Sequence, residues 1–305
     1  MKSSLSCRIK DELYRNGVLY IMAIPVILYF ILFMYLPMFG LVIAFKKYDI
    51  AKGIFGSQWV GFKYFKEFFT GLYFKRTLKN TLMLSGGNIL FGFPAPIIFA
   101  LLLNELRNKH FKKTVQTITY LPHFISLVVV CGMLTNFFSS DGVATQIIMK
   151  FGGEKMNYLA STKYFRTIYI ASEIWQSIGW NSIIYLAALT GIDMQLYEAA
   201  VIDGAGKWKQ MLHVTLPGIL PTISVMLILE IGKMLSLGYE KVILLYSPNT
   251  YEVADIISSF VYRKGLNNFM YSYASAVGLF QSVVNIILLI ASNKLSKRIS
   301  GSALF

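Results

Sequence analysis

The stretch Gly204-Ala205-Gly206-Lys207 is the nearest approach in this chain to a phosphate-binding loop. Such a loop requires Gly-x4-Gly-Lys-Ser/Thr, because its backbone N–H groups cradle phosphates and its hydroxyl holds Mg²⁺. Here the spacing is wrong, and Trp208 occupies the position of the hydroxyl. The chain is therefore not expected to hydrolyse ATP, and any ATP-driven process would need a separate ATPase chain.

The histidines and cysteines of the sequence indicate neither a metal site nor a disulfide framework. His110, His123 and His213 are far apart and lack the spacing of metal ligands. The two cysteines, Cys7 and Cys131, cannot make a disulfide framework of the usual kind. We predict no catalytic site, no metal site and no cofactor bound by this chain.

Composition places the chain in a membrane. Of its 305 residues, 55% are hydrophobic and only 14% are charged, with a mean hydropathy of +0.56. Soluble domains carry about 25% charged residues. The net charge of +14 could indicate nucleic-acid binding, but the basic residues lie between apolar runs, so anionic lipid headgroups explain them better.

The apolar runs predict an all-α integral membrane protein with six transmembrane helices, since each run provides the ~20 residues that a bilayer requires. The predicted spans are residues 17–45, 77–103, 114–138, 164–190, 217–237 and 269–293. Residues 1–16 form a polar N-terminal segment, 191–216 a polar loop, and 294–305 a tail. Lys and Arg divide equally between the two sides, so charge bias does not choose an orientation.

Polar residues inside the spans are candidates for a substrate path, because charged groups at bilayer depth usually face a bundle interior or water. Glu173, Gln176 and Trp180 share one face of the fourth span. Glu230 and Lys233 are i, i+3 neighbours in the fifth, where they can neutralise each other. Asn285 belongs to a polar stripe on the sixth. Helix packing is the alternative interpretation. It is favoured for the sixth span, whereas Glu173, Trp180 and Glu230 favour the path.

The loop at 191–216 has a helical pattern of its own. Asp193 is a plausible N-cap and Gly204 a plausible C-terminal stop. Tyr197, Ala200 and Val201 then share one face. A second short helix is expected from Lys207 to His213, ended by Pro217. On the pattern alone, this segment could simply join two spans.

Fixed spacings within the loop carry a more specific signal. Three residues separate Glu198-Ala199-Ala200 from Gly204, and nine residues separate Gly204 from Val214-Thr215-Leu216-Pro217. This arrangement resembles the signature loop of binding-protein-dependent ABC importer permeases, which usually have Ile in place of Val214. Asp203, Ala205 and Pro221 match the sugar-type version. Further blocks resemble the oligosaccharide and polysaccharide subgroup: residues 120–126, 172–175, 179–180, 238–241, 261–265 and 277–280.

The resemblance implies a MetI-like, type I importer fold with a cytoplasmic signature loop and both termini cytoplasmic. It implies four partners besides lipid: a second, similar permease in a heterodimer, two copies of an ATPase that uses ATP and Mg²⁺, an extracytoplasmic solute-binding protein, and an oligosaccharide. It assigns ATPase coupling to Tyr197, Glu198, Ala199, Ala200, Val201, Asp203, Gly204, Ala205 and Pro217. Tyr239 and Glu240 join the candidate path, although the subgroup often has Phe-Glu-Gln where this chain has Tyr239-Glu240-Lys241.

A stand-alone secondary transporter driven by an ion gradient is the alternative class. Such proteins often contain inverted repeats around a mid-membrane ion site. The sequence shows no internal repeat and a single signature loop.

Overall fold

The computed structural model describes residues 5–300 and 304, with side chains from 14 to 298 and at 304. The α-helices are α1 (Leu5–Phe30), α2 (Leu36–Met38), α3 (Gly53–Gly56), α4 (Lys63–Thr70), α5 (Leu72–Gly87), α6 (Pro94–Glu105), α7 (Lys109–Tyr120), α8 (Leu127–Phe137), α9 (Val143–Lys150), α10 (Phe165–Thr190), α11 (Met194–Ile202), α12 (Lys207–Gln210), α13 (Leu216–Gly232), α14 (Tyr239–Leu245), α15 (Tyr251–Ala254), α16 (Ile257–Tyr262) and α17 (Tyr271–Ser300).

Shorter elements join or interrupt these helices. The π-helical segments are Ile31–Tyr35, Asn88–Gly92, Met211–Thr215 and Arg263–Asn267, and the 3-10 segments are Phe39–Phe45, Leu121–Phe124 and Pro248–Thr250. A two-stranded antiparallel hairpin pairs β1 (Lys46–Lys47) with β2 (Gln58–Trp59).

Four helical runs of the described chain are long and apolar enough to cross a bilayer. They are Tyr14–Phe45, Leu72–Glu105, Lys207–Gly232 and Tyr271–Arg298, and they overlap the predicted first, second, fifth and sixth spans. The fourth predicted span is α10. Its 26 residues are long enough to cross a bilayer, but its polar face lowers its mean hydropathy, and it is not among these four runs. The count of six spans stays a prediction.

The third predicted span is not one straight helix. Helices α7 and α8 meet at an angle of 98° across a short break. Pro122, which has no backbone N–H, starts a 3-10 turn there, and Ile125 and Ser126 are extended before α8 begins. Residues 114–138 therefore do not form one continuous spanning helix.

The second loop helix also differs from the prediction. It starts at Lys207 as expected but does not end at Pro217, because the chain continues through the π-helical Met211–Thr215 into α13. Pro217 lies in the first turn of α13, where its missing N–H is tolerated. Span five accordingly ends at Gly232 rather than near residue 237.

The region between α13 and α17 folds back into the bundle. Ala254, Ile256, Ile257 and Phe260 are almost fully buried. One apolar cluster joins this region to α5, α8 and α10, and a second joins it to α4 and α17. A third cluster packs α6, α10 and α13 together at the other end.

The first apolar run stands apart from the bundle. None of its most apolar window is buried. Its last turns, the 3-10 segment Phe39–Phe45, pack against α17. Most of α1 therefore presents apolar side chains that no described part of this chain covers.

Candidate coupling loop and substrate path

Helix α11 is fixed at both ends by the residues that the sequence indicates. The Asp193 side chain accepts a hydrogen bond from the Gln195 N–H at 2.9 Å. Gly204 has φ +73°, a left-handed conformation that costs glycine little. It lets Gly204 N bond Val201 O at 3.0 Å and Ala205 N bond Ala200 O at 2.8 Å, the pair of bonds that closes a Schellman motif. Both predicted helix ends are confirmed.

The two faces of α11 differ in exposure. Tyr197 and Ala200 turn towards the protein and are half-buried, whereas Glu198 and Ala199 are exposed. Val201 is 61% exposed, so the predicted common face of Tyr197, Ala200 and Val201 is divided. Asp203, Gly204 and Pro217 are also exposed, and Ala205 is half-buried.

An unusual share of the exposed surface in this loop is apolar. Ile202 is 86% exposed and Trp208 72%. The other exposed apolar side chains are Met194, Leu196, Val201 and Leu212. Large exposed apolar surface is typical of sites that bind another protein or a membrane.

A groove of about 820 Å³ separates α11 from the connection between α6 and α7. Glu105 and Arg107 line one wall, and Glu198 and Val201 line the other. An ion pair between Lys207 Nζ and Glu105 Oε2, 3.6 Å long, crosses its edge. Both side chains are largely exposed, so the pair contributes little stability.

Three candidate path residues lie together along α10. The Glu173 carboxylate contacts Lys241 Nζ at 2.6 Å. Gln176 Nε2 donates to Ile125 O at 3.4 Å, at the break between α7 and α8. Trp180 stacks on His123, with ring centroids 4.5 Å apart, and remains 41% exposed. Charge, amide and aromatic groups thus follow one another along α10, and two of them contact the break between α7 and α8.

Glu230 and Lys233 interact electrostatically, as the sequence predicts, but they do not form a direct ion pair. Both residues are described, and no ion pair of 4 Å or less joins them; only a backbone bond does, from Lys233 N to Glu230 O at 3.1 Å. The helix ends at Gly232, so the side chains do not share a regular helical face. The residue that pairs with a buried lysine is Glu173.

The remaining candidates have other surroundings. The Asn285 amide accepts from Leu235 N at 3.0 Å and donates to Ser236 Oγ at 2.6 Å. It therefore holds the turn after α13, which is a packing role. Tyr239 stacks on Tyr262 with ring centroids 5.2 Å apart. Glu240 is exposed.

A buried ionic network escaped prediction. Asp255 is fully buried and receives both Arg263 guanidinium nitrogens, at 3.0 and 2.6 Å. Arg76 approaches it at 3.4 Å. Asn80 Nδ2 donates to Asp255 O, and Arg166 donates to Asn80 Oδ1 at 2.8 Å. The available signal was Arg166 itself, a charged residue inside a predicted span.

The loop and the helical bundle define a class of membrane protein. The chain belongs to the family described as binding-protein-dependent transport system inner membrane component, whose model matches residues 92–301. It is thus a multi-pass permease subunit of an ABC importer, a class in which ATP hydrolysis resides on a separate chain.

Similar proteins narrow the class. The chain is 47% identical to protein LplB of Bacillus subtilis (strain 168) over 96% of this chain and 92% of that protein. It is 46% identical to the polygalacturonan/rhamnogalacturonan transport system permease protein YteP of the same organism, covering 98% and 93%.

Solved structures agree with the fold. A permease chain of a bacterial alginate ABC transporter, in complex with an alginate pentasaccharide-bound periplasmic protein, is 43% identical. The match covers 97% of this chain and 100% of that one, with a TM-score of 0.90. The all-α, MetI-like permease fold expected from the sequence is confirmed, and an importer that works with a solute-binding protein is supported over a secondary transporter.

Proposed function

We propose that this chain is one half of a heterodimeric permease that moves an acidic oligosaccharide across the cell membrane. The substrate class is supported by relatives: a polygalacturonan/rhamnogalacturonan permease at 46% identity and an alginate transporter at 43%. Both polymers contain uronic acids, which carry carboxylates.

The exposed helix α11 is the observation that carries the coupling role. It is capped at both ends, yet most of its apolar side chains have no cover within the described chain. We assign Glu198, Ala199, Val201, Asp203 and Gly204 to the docking surface for the ATPase. Ala200 and Ala205 support it from behind, and Pro217 begins the span that it would move. This end of the bundle, with both termini, is then cytoplasmic.

The second permease is supported by α1. No residue in the most apolar stretch of the first helical run is buried. The large apolar side chains from Val18 in α1 to Phe39, just beyond it, are exposed. Lipid can cover such a helix, but a helix held only at one end gains a defined position by packing on a neighbouring subunit. We therefore place α1 against the partner permease.

The path is assigned to the face of α10 that carries Glu173, Gln176 and Trp180. Trp180 lies ten residues before the C-terminus of α10, about 15 Å along the helix. This depth is near the middle of a hydrocarbon core ~30 Å thick. Non-helical backbone at such depth must be buried in protein or line a watery cavity. Leu121, His123, Phe124 and Ser126 at the break are exposed in this chain, so we assign the break to the wall of the path. Glu230, Lys233, Tyr239 and Glu240 stay candidates for the same path.

An affinity pull-down from native membranes tests the docking assignment. The tagged wild type should recover a second permease and an ATPase. Gly204→Asp should lose the ATPase while keeping the second permease. Gly206→Asp is the matched control, because Gly206 has φ −65°, meets nothing within 4 Å of an added Cβ, and is the N-cap of α12.

Equal recovery of the ATPase by both variants would contradict docking at α11. If the tagged wild-type chain were recovered without any partner protein, the proposed importer assembly would be contradicted. Uptake of a uronate-containing oligosaccharide, compared with a neutral one of equal length, tests the substrate class.

A further inference from the structure

A closed ring of hydrogen bonds links α11 to the base of α13. Tyr197 Oη lies 2.9 Å from Thr215 Oγ1, and Thr215 Oγ1 donates to Gln210 O at 3.3 Å. Gln210 Nε2 donates to Ala205 O at 2.7 Å. Ala205 N then returns to Ala200 O in α11 at 2.8 Å. The ring therefore begins and ends on the same helix.

The direction of the Tyr197 bond follows from proton counting. A threonine hydroxyl has one proton, and Thr215 gives it to the Gln210 carbonyl. The Tyr197 hydroxyl must therefore donate to Thr215. Removing only that hydroxyl leaves a buried acceptor without its donor, and such a loss costs more than an exposed bond would.

The ring lies in a protected environment. Thr215 is 3% exposed and Gln210 7%, so water competes poorly for these groups. The π-helical turn Met211–Thr215 precedes α13 directly. Its wider turn places the Thr215 hydroxyl over the carbonyl five residues earlier. Such turns are frequent at functional sites.

Little else holds α11 in place. It has nine residues, and none of them is fully buried. Helices of that length are marginal in water without tertiary support. Tyr197 and Ala200 are its half-buried members, and Ala200 has no polar side chain. Among the described residues, the Tyr197 hydroxyl thus provides the side-chain hydrogen bond from α11 to the π-helical turn that leads into α13.

We propose that Tyr197 is a positioning residue, which through Thr215 and Gln210 makes α11 and α13 move as one body. A push on α11 is transmitted to the span only if the two keep their relative orientation. This role rests on the proposed docking at α11 but is distinct from it, because Tyr197 faces inward and the docking surface faces outward.

The test uses the complete importer in proteoliposomes, with the ATPase, the second permease and the solute-binding protein. Three quantities are measured: the ATPase recovered with the permease, the rate of uptake, and the ATP hydrolysed per sugar imported. Tyr197→Phe and Thr215→Val should retain the ATPase at the wild-type level. Each should slow uptake by about fivefold, the equivalent of one hydrogen bond, and raise the ATP consumed per sugar.

Two controls separate positioning from folding. Thr215→Ser keeps the hydroxyl and should transport like the wild type. The double variant Tyr197→Phe/Thr215→Val should be no worse than the more impaired single variant, because both remove the same interaction. Wild-type ATP consumption per sugar in both single variants would overturn the proposal, as would additive losses in the double variant. If Tyr197→Phe lost the ATPase, Tyr197 would belong to the docking surface, and the positioning proposal would also be overturned. If Gly204→Asp kept the ATPase, only the proposed docking at α11 would be contradicted.

Discussion

The candidate coupling loop at 191–216 and the buried segment at 238–268 are built on different principles. The loop is held by local bonds, such as those of Asp193 and Gly204, and exposes its apolar side chains. The buried segment adds distant partners to its local pair of Asp255 with Arg263: Asp255 also meets Arg76 across 179 residues, and Lys241 meets Glu173 across 68. The loop is therefore suited to bind another protein, and the segment to hold the bundle together.

The largest expected effect lies in the buried segment. Asp255→Asn removes the charge that two arginines share and leaves them without compensation. Breaking a buried ion pair from one side costs roughly 3–5 kcal/mol. We expect a clear fall in the thermal midpoint of the purified protein, followed by fluorescence-detected size exclusion, and a lower yield from membranes.

Asp141→Asn is the matched control. Asp141 pairs with Lys155 at 2.8 Å, but both side chains are mostly exposed. Such pairs are worth about 0–1 kcal/mol, so the midpoint should stay near that of the wild type. Similar midpoints for Asp255→Asn and Asp141→Asn would show that the buried network is not what holds segment 238–268.

The second-largest effect is expected for a substitution in the loop that lowers uptake without lowering stability. Glu198→Lys reverses a charge on the exposed side of α11 without touching a buried contact. We expect the thermal midpoint to be preserved and ATP-dependent uptake to fall to background, because a reversed charge at a desolvated contact costs several kcal/mol. Normal uptake by this variant would remove Glu198 from the docking surface.

The same contrast explains what the sequence can and cannot predict. Asp193 and Gly204 act within their own helix, so their residue types and spacing suffice to predict both ends of α11. The end of the second loop helix is harder to predict from the sequence. Pro217 indicates a helix end, but the π-helical turn before it lets the helix continue. The partner of Glu173 could not be predicted, because Lys241 lies 68 residues away in the sequence and meets it only through the fold.

A third prediction concerns the path. Trp180→Ala removes an indole that stacks on His123 and remains partly exposed. Aromatic stacking is worth about 0.5–1.5 kcal/mol beyond burial, so uptake should fall by roughly tenfold at limiting substrate while ATPase recovery stays unchanged. Trp175→Ala is the control, since Trp175 is exposed to a similar degree at 46% but lies on another face of α10. A loss of ATPase from Trp180→Ala would make α10 a structural helix at this position.

The smallest effect is expected for the exposed ion pair that joins the loop to the end of α6. Lys207 and Glu105 form an ion pair, as Arg263 and Asp255 do, but at 3.6 Å and with side chains 70% and 43% exposed. Lys207→Gln should change the thermal midpoint by the equivalent of less than about 1 kcal/mol and leave uptake close to the wild-type rate. Raising the salt concentration should have equally little effect on this variant and on the wild type, because water and ions already screen the pair. A large loss of uptake in Lys207→Gln with an unchanged midpoint would mean that Lys207 binds the ATPase directly, and the docking surface would then extend from α11 across the groove to α12.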